Sequence, residues 1–237
     1  MWGRRRLTQS VARVDVSVPP HVARLAVESL SLTNFRSYTS LSLEVGPEPV
    51  VLTGPNGAGK TNLLEALSLL APGSGLRRAR LADLRQRGAS GEGWAVAATL
   101  GGSNGCIRIG TGDVAGAPGR RSIRIDGADV SGQSSLSERL HVIWLTPRMD
   151  RLFVEAPSGR RGFFDRLVAG FNPGHGRRLA AYQRCMRERS QMLKAYRLDM
   201  SWLKAIEETM SEYAVAVAAA RCDAVARLNV LLEAPLG

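Results

Sequence analysis

The chain has 237 residues, 44% of them hydrophobic, and a formal net charge of +11. That length suits one large domain or two small ones with an ample core. Every apolar run falls short of the roughly 20 residues that a membrane helix needs, and residues 1–20 lack the apolar centre of a secretory signal, so the expected compartment is the cytoplasm with no membrane partner.

Three cysteines (Cys106, Cys185, Cys222) and three histidines (His21, His141, His175) are scattered, with no spacing suited to a disulfide framework, a zinc site or a catalytic cluster. Only three of the 32 basic residues are lysines, namely Lys60, Lys194 and Lys204. A basic balance suits polyanion partners such as nucleic acid. Arginine-rich codon usage would raise the same total without any binding role, so total charge leaves both readings open.

In chain order, residues 1–24 hold Arg4-Arg5-Arg6 and Pro19-Pro20 and no apolar period, which predicts a basic, disordered extension. Residues 27–33 and 41–45 alternate as strands do, with the turn Asn34-Phe35-Arg36-Ser37-Tyr38 between them. The apolar run Val50-Val51-Leu52-Thr53 predicts a buried strand. It leads into Gly54-Pro55-Asn56-Gly57-Ala58-Gly59-Lys60-Thr61, followed by Asn62 and a helix to residue 71 with Leu63, Leu64, Leu67 and Leu70 on its apolar face.

The stretch fits G-x-x-x-x-G-K-[ST] between a strand and a helix, the context in which the motif cradles phosphate. The glycines allow a tight turn that aims backbone N–H groups at phosphate oxygens, and the helix N-terminus adds its own N–H groups and dipole. Lys60 reaches the β- and γ-phosphates, and the Thr61 hydroxyl is a Mg²⁺ ligand. The implied ligand is a Mg-nucleoside triphosphate.

Residues 76–91 are polar and arginine-rich, which reads as a solvated loop or a short helix. Residues 94–100, 106–109 and 122–125 read as three antiparallel strands, with Asp126-Gly127 as a turn. Val142-Ile143-Trp144-Leu145 predicts a second buried strand. Beyond Pro157 the chain turns helical: a helix over residues 159–170, a break at residues 171–176, then two periodic runs forming an antiparallel hairpin. The expected lobes are therefore 1–24, 25–156 and 157–237. Residues 157–197 carry ten basic side chains against two acidic ones, whereas residues 198–237 carry three against six. Codon usage does not produce that contrast, so it favours a polyanion-facing surface that includes Arg177, Arg178, Arg184 and Arg187.

The order strand, Asn-Phe-Arg-Ser-Tyr, strand, Gly54 to Asn62 resembles the ABC-type ATPase heads of the SMC/Rad50 class, and within it the bacterial RecF recombination family. The segment Ser158-Gly159-Arg160-Arg161-Gly162-Phe163-Phe164-Asp165-Arg166-Leu167 is similar to that family's Arg-Arg-x-Phe-x-Asp-Arg stretch. The resemblance implies an α/β P-loop head with an antiparallel sub-sheet and a helical second lobe. It also implies ATP and Mg²⁺ as cofactors, Arg36 near the phosphates, weak ATPase activity and an ATP-dependent homodimer. The implied partners are single-stranded or gapped DNA and recombination mediators, in replication, gap repair and the SOS response.

Three departures bear on this. Thr146-Pro147-Arg148-Met149-Asp150 holds no glutamine where ABC heads place a metal- and water-sensing one. Val130-Ser131-Gly132-Gln133 looks like a signature loop but precedes the residue 142 strand. No Walker B strand is visible, and Leu231-Leu232-Glu233 continues a helical stripe. The expectation is a partial head that binds nucleotide without efficient hydrolysis, and hence has no assigned catalytic residue. A longer SMC-type or Rad50-type head is one alternative, although the helical pair spans only about 55 residues. A P-loop small-molecule kinase, with residues 76–87 as its lid, is another, although two strands precede the P-loop here.

Overall fold

The computed structural model describes residues 25–89, 93–102, 105–114, 117–132, 134–137, 139–154, 156–194 and 199–233. The extension over residues 1–24 lies outside them. The chain divides into two compact units, residues 1–133 and 134–237. The expected boundary at residue 156 thus falls inside the second unit.

The first unit is built on a six-stranded antiparallel sheet in the order β2-β1-β3-β4-β5-β6. Its strands are β1 (Ala26–Phe35), β2 (Tyr38–Glu44), β3 (Ala95–Gly102), β4 (Gly105–Val114), β5 (Ala117–Ile125) and β6 (Ala128–Asp129). Alternation sets its two faces. Register aligns Leu43, Leu30, Ala98, Ile109 and Ile125 in one row, and Leu41, Leu32, Val96, Thr111 and Ile123 in the next. Most of these are buried. The turn between β5 and β6 holds Asp126 and Gly127 at φ +50° and +85°, the paired positive φ that a two-residue hairpin turn needs. The three strands read separately from the sequence therefore join β1 and β2 in one sheet.

Helix α1 (Lys60–Leu69) buries Leu63, Ala66 and Leu69. Leu64 was expected on that face but is 51% exposed, and Glu65 is buried in its stead. The apolar period points the helix correctly overall. A buried ion pair, described below, takes the position at which a leucine was expected.

Two expected strands are not formed. Residues 50–53 and 142–145 are irregular, and Val50, Val51, Ile143 and Leu145 are exposed. An apolar run becomes a buried strand only when a neighbour accepts its backbone ladder. Among the described residues neither run enters one.

In the second unit, α2 (Ser134–Ser137) and a 3₁₀ turn at Pro147–Arg151 precede α3 (Pro157–Phe171), α4 (His175–Met192) and α5 (Met200–Glu233). Pro157 opens α3 at a position where its missing N–H costs nothing. The predicted break after residue 171 separates α3 from α4. Arg189 near the end of α4 pairs with Glu207 near the start of α5 at 2.7 Å. At the start of α4, His175 meets Asp165, which also binds Arg221 far along α5. The two helices therefore run antiparallel, as the sequence predicts.

Candidate functional site

The loop before α1 has the backbone that its glycines predict. Gly54, Gly57 and Gly59 sit at φ +138°, +85° and +97°, a region that side chains disfavour. Gly59 is the cap residue of α1, and no side chain caps that end. Nor is there an acidic residue in the first turn. The N-terminal amides and the positive end of the dipole thus face outward without a competing protein anion. Pro55, Asn56, Gly57, Ala58 and Thr61 are exposed, and Gly59, Lys60 and Asn62 are half-buried. Lys60 Nζ donates to the carbonyls of Gly54 (2.6 Å) and Pro55 (2.9 Å), which folds the ammonium back across the loop.

Behind the loop lies a network that the motif did not reveal. Glu65, on α1, is 1% exposed. Its carboxylate accepts from Arg36 Nη2 (2.7 Å) and Nε (2.9 Å), a two-pronged pair, and from Arg77 Nη1 (2.9 Å). The Arg36 Nη1 also donates to the Asp83 carbonyl at 2.9 Å. Asn62 receives Arg77 Nη1 (2.8 Å) and donates to Ser37 Oγ (2.9 Å). The β1–β2 turn, the first two turns of α1 and the segment after α1 are thereby tied together. Asn34 and Arg36 hold that turn at φ +47° and +53°.

The approach is so close that a Cβ on Gly59 would collide with the Tyr38 hydroxyl. Burial also pushes the Tyr38 phenol above its usual range. Arg36 was expected near the phosphates; its guanidinium is committed largely to Glu65 and Asp83. Glu65 carried a faint signal in the sequence, as the only acid in a helix of leucines, but nothing in spacing named its partners.

The residues present fit a magnesium nucleotide in part. Loop amides, Lys60 and the Thr61 hydroxyl suit a phosphate chain with its cation. Among the described residues no group of three or more His, Cys, Asp or Glu is placed to hold a metal ion.

A family model described as an AAA domain matches residues 29–139. The protein of Mesorhizobium japonicum called DNA replication and repair protein RecF is 46% identical over 212 residues, 89% of this chain and 56% of its own length. The chain is homologous to RecF. Relatives of the same name in Rhizobium etli and Agrobacterium fabrum are 46% and 43% identical, each over 90% of this chain and 57% of their length. The chain thus spans a little over half the length of the curated RecF relatives it matches.

The solved structure of the recombination mediator protein RecF-ATPrS in the RecFOR pathway superposes with a TM-score of 0.77 at 22% identity, over 86% of this chain and 55% of that one. The corresponding RecF-ATP structure gives 0.74 at 23%, over 89% and 57%. The RecF-like fold, an α/β P-loop head with a helical second lobe, is thereby confirmed. Among the described residues no helix is long and apolar enough to cross a membrane.

Proposed function

We propose that this chain is the nucleotide-binding and DNA-binding part of a RecF-like ATPase that acts in DNA replication and repair. The observation that carries the reading is the uncapped start of α1 behind three positive-φ glycines, with Lys60 folded over the loop. Loop amides from Gly54 to Gly59, together with Lys60, hold the β- and γ-phosphates of ATP. Thr61 ligates Mg²⁺, which neutralises the phosphate charge, and Asn62 keeps the first turn of α1 fixed to Ser37. Arg36 and Arg77 add positive potential behind the loop. In the resemblance, nucleotide draws two copies together, and recombination mediators and gapped or single-stranded DNA are the partners in gap repair and the SOS response. These features complete the proposal.

The test is titration of Mg-ATP into the purified chain and into Lys60→Ala. Wild type binds; the variant loses about 100-fold in affinity, since a charge-assisted contact to phosphate disappears. Equal binding by both, or none by wild type, would remove the nucleotide reading. Turnover by the wild-type chain would show that it carries a water-activating group not assigned above.

DNA contact is assigned to α4. Arg177 and Arg184 lie two turns apart and exposed, with Arg187 beside them. Arg178 is partly engaged, donating from Nη1 to Asn172 Oδ1 at 3.1 Å, and Arg189 pairs with Glu207. The free arginines contact phosphates, so binding is insensitive to sequence and steeply dependent on salt. Replacing Arg177, Arg184 and Arg187 by Gln makes the log–log salt slope shallower by about 2–3, read by fluorescence anisotropy on gapped DNA. A slope that does not change takes α4 out of the interface.

A further inference from the structure

Helix α1 has a dipole with two ends, and only one of them faces the phosphate loop. Its C-terminal end needs hydrogen-bond donors for its last carbonyls, and a positive charge there is favourable. The helix end itself supplies only neutral donors, the Ser68 hydroxyl to the Glu65 carbonyl and the Leu70 N–H to that of Leu67, and no basic residue occurs in its last turn. The charged donor comes from the sheet. Arg121, on β5, donates from Nη2 to the carbonyls of Leu69 and Ala71 and from Nη1 to that of Gly73 at 2.9 Å. Its Nε donates to Thr111 Oγ1 at 2.8 Å, and Thr111 in turn donates to the Ser122 carbonyl at 2.9 Å. Thr111 is buried on β4. The guanidinium is therefore aimed by a side chain fixed within the β4–β5 pair.

All of these partners are neutral, and none is a carboxylate. Burial without a counter-ion pushes the Arg121 guanidinium down to about 10, so it remains charged at neutral pH. A largely buried cation of this kind is costly unless the carbonyl dipoles of the helix end compensate it. The sheet thus spends a buried charge to hold the far end of the phosphate-binding helix.

We propose that Arg121 is a positioning residue of the nucleotide site: by clamping the last carbonyl of α1, that of Leu69, and the turn that follows it at Ala71 and Gly73 to β5, it sets where the N-terminal amides of α1 meet the phosphates. The inference rests on the nucleotide reading given above. A ten-residue helix is a rod of about 15 Å. Releasing one end lets it tilt, and small misplacements of binding groups carry large costs. Glu65 with Arg36 and Arg77 secures the N-terminal half, and Arg121 secures the other.

The experiment compares wild type, Arg121→Met and Arg121→Lys by calorimetric titration of Mg-ATP well below each melting temperature. Hydrogen exchange across residues 60–73 without nucleotide accompanies it. Arg121→Met binds about tenfold more weakly, Arg121→Lys recovers most of the loss through its charge, and exchange rises at residues 60–63 as well as at residues 69–73. A lowered melting temperature with unchanged affinity would mean a purely structural role and overturn the proposal.

Should Arg121→Met not fold, Thr111→Val removes the Nε partner and leaves the charge. It is expected to weaken binding about threefold, and unchanged affinity there would equally overturn the proposal. If wild type does not bind Mg-ATP, the nucleotide reading fails by itself. Exchange then decides the clamp: faster exchange at residues 60–63 in Arg121→Met or Thr111→Val supports it, and protection equal to wild type refutes it.

Discussion

Replacing Asp165 by Ala destabilises the helical unit by about 3 kcal/mol, the cost of breaking a buried charge pair from one side. Asp165 lies on α3 and is 9% exposed. It accepts from Arg221 Nε and Nη2, both at 2.9 Å, and from His175 Nε2 at 2.8 Å. One carboxylate therefore fastens α3 to α4 and α5. Burial pushes its pKa up, but the hydrogen bonds from His175 and Arg221 outweigh that and hold it below the usual carboxylate range. With Asp165 ionised, the shared proton sits on Nε2, and Nδ1 of the fully buried imidazole has no partner. In the variant both ring nitrogens are left unsatisfied, whereas Arg221, 32% exposed, reaches water.

The sign of the pH dependence follows. A depressed carboxylate pKa contributes stability above the unfolded value, near 4, and that contribution is lost as pH falls through the folded value. The stability gap between wild type and Asp165→Ala, measured by urea denaturation, is flat around neutrality and narrows below about pH 4. A gap that persists undiminished to pH 3, or one below about 1 kcal/mol at pH 7, would show that the carboxylate does not hold the three helices.

How far the sequence discloses such features depends on the range over which they act. The phosphate loop is legible because its chemistry is local: three glycines, Lys60 and Thr61 are all needed within eight residues, and backbone sterics place them without outside help. The helical hairpin is legible because 3.6-residue periodicity and the Asn-Pro-Gly break are local too. The partners of Glu65 are not legible, since Arg36 and Arg77 reach it from either side across 29 and 12 residues, and only the folded sheet brings them together. His175 looks like one of three scattered histidines until folding buries it against Asp165 of α3. The same dependence explains the two misread strands. Val50 and Val142 begin apolar runs that satisfy every local criterion for a buried strand, but strand formation also needs a neighbouring ladder, which composition does not reveal.

The second large effect concerns Glu65. Replacing it by Ala costs about 2–3 kcal/mol, lower than for a fully buried pair because Arg77 is well exposed and Arg36 is about one-fifth exposed. The Arg36 guanidinium has few other places to go. Its backbone N–H donates to the Leu84 carbonyl at 2.8 Å and its Nη1 to that of Asp83, so the β1–β2 turn holds it in position after the carboxylate is gone. A largely buried cation is then left without its counter-ion. The variant Glu65→Gln retains the volume and one acceptor oxygen but directs an NH₂ group at a donor-only fork, so it falls between wild type and Ala.

The decisive comparison is a double-mutant cycle with Arg36→Leu, followed by chemical denaturation. If the pair is a unit, losing both partners costs at least about 1 kcal/mol less than the sum of the single losses. Strict additivity would mean that Arg36 is not compensated by Glu65. In that case Arg36 would be free to serve the phosphates directly, and Mg-ATP affinity should fall sharply in Arg36→Leu while staying at wild-type level in Glu65→Ala. Non-additive stability with parallel losses of affinity in both single variants is the expected result. It would place Arg36 behind the loop, acting on nucleotide through the position of α1.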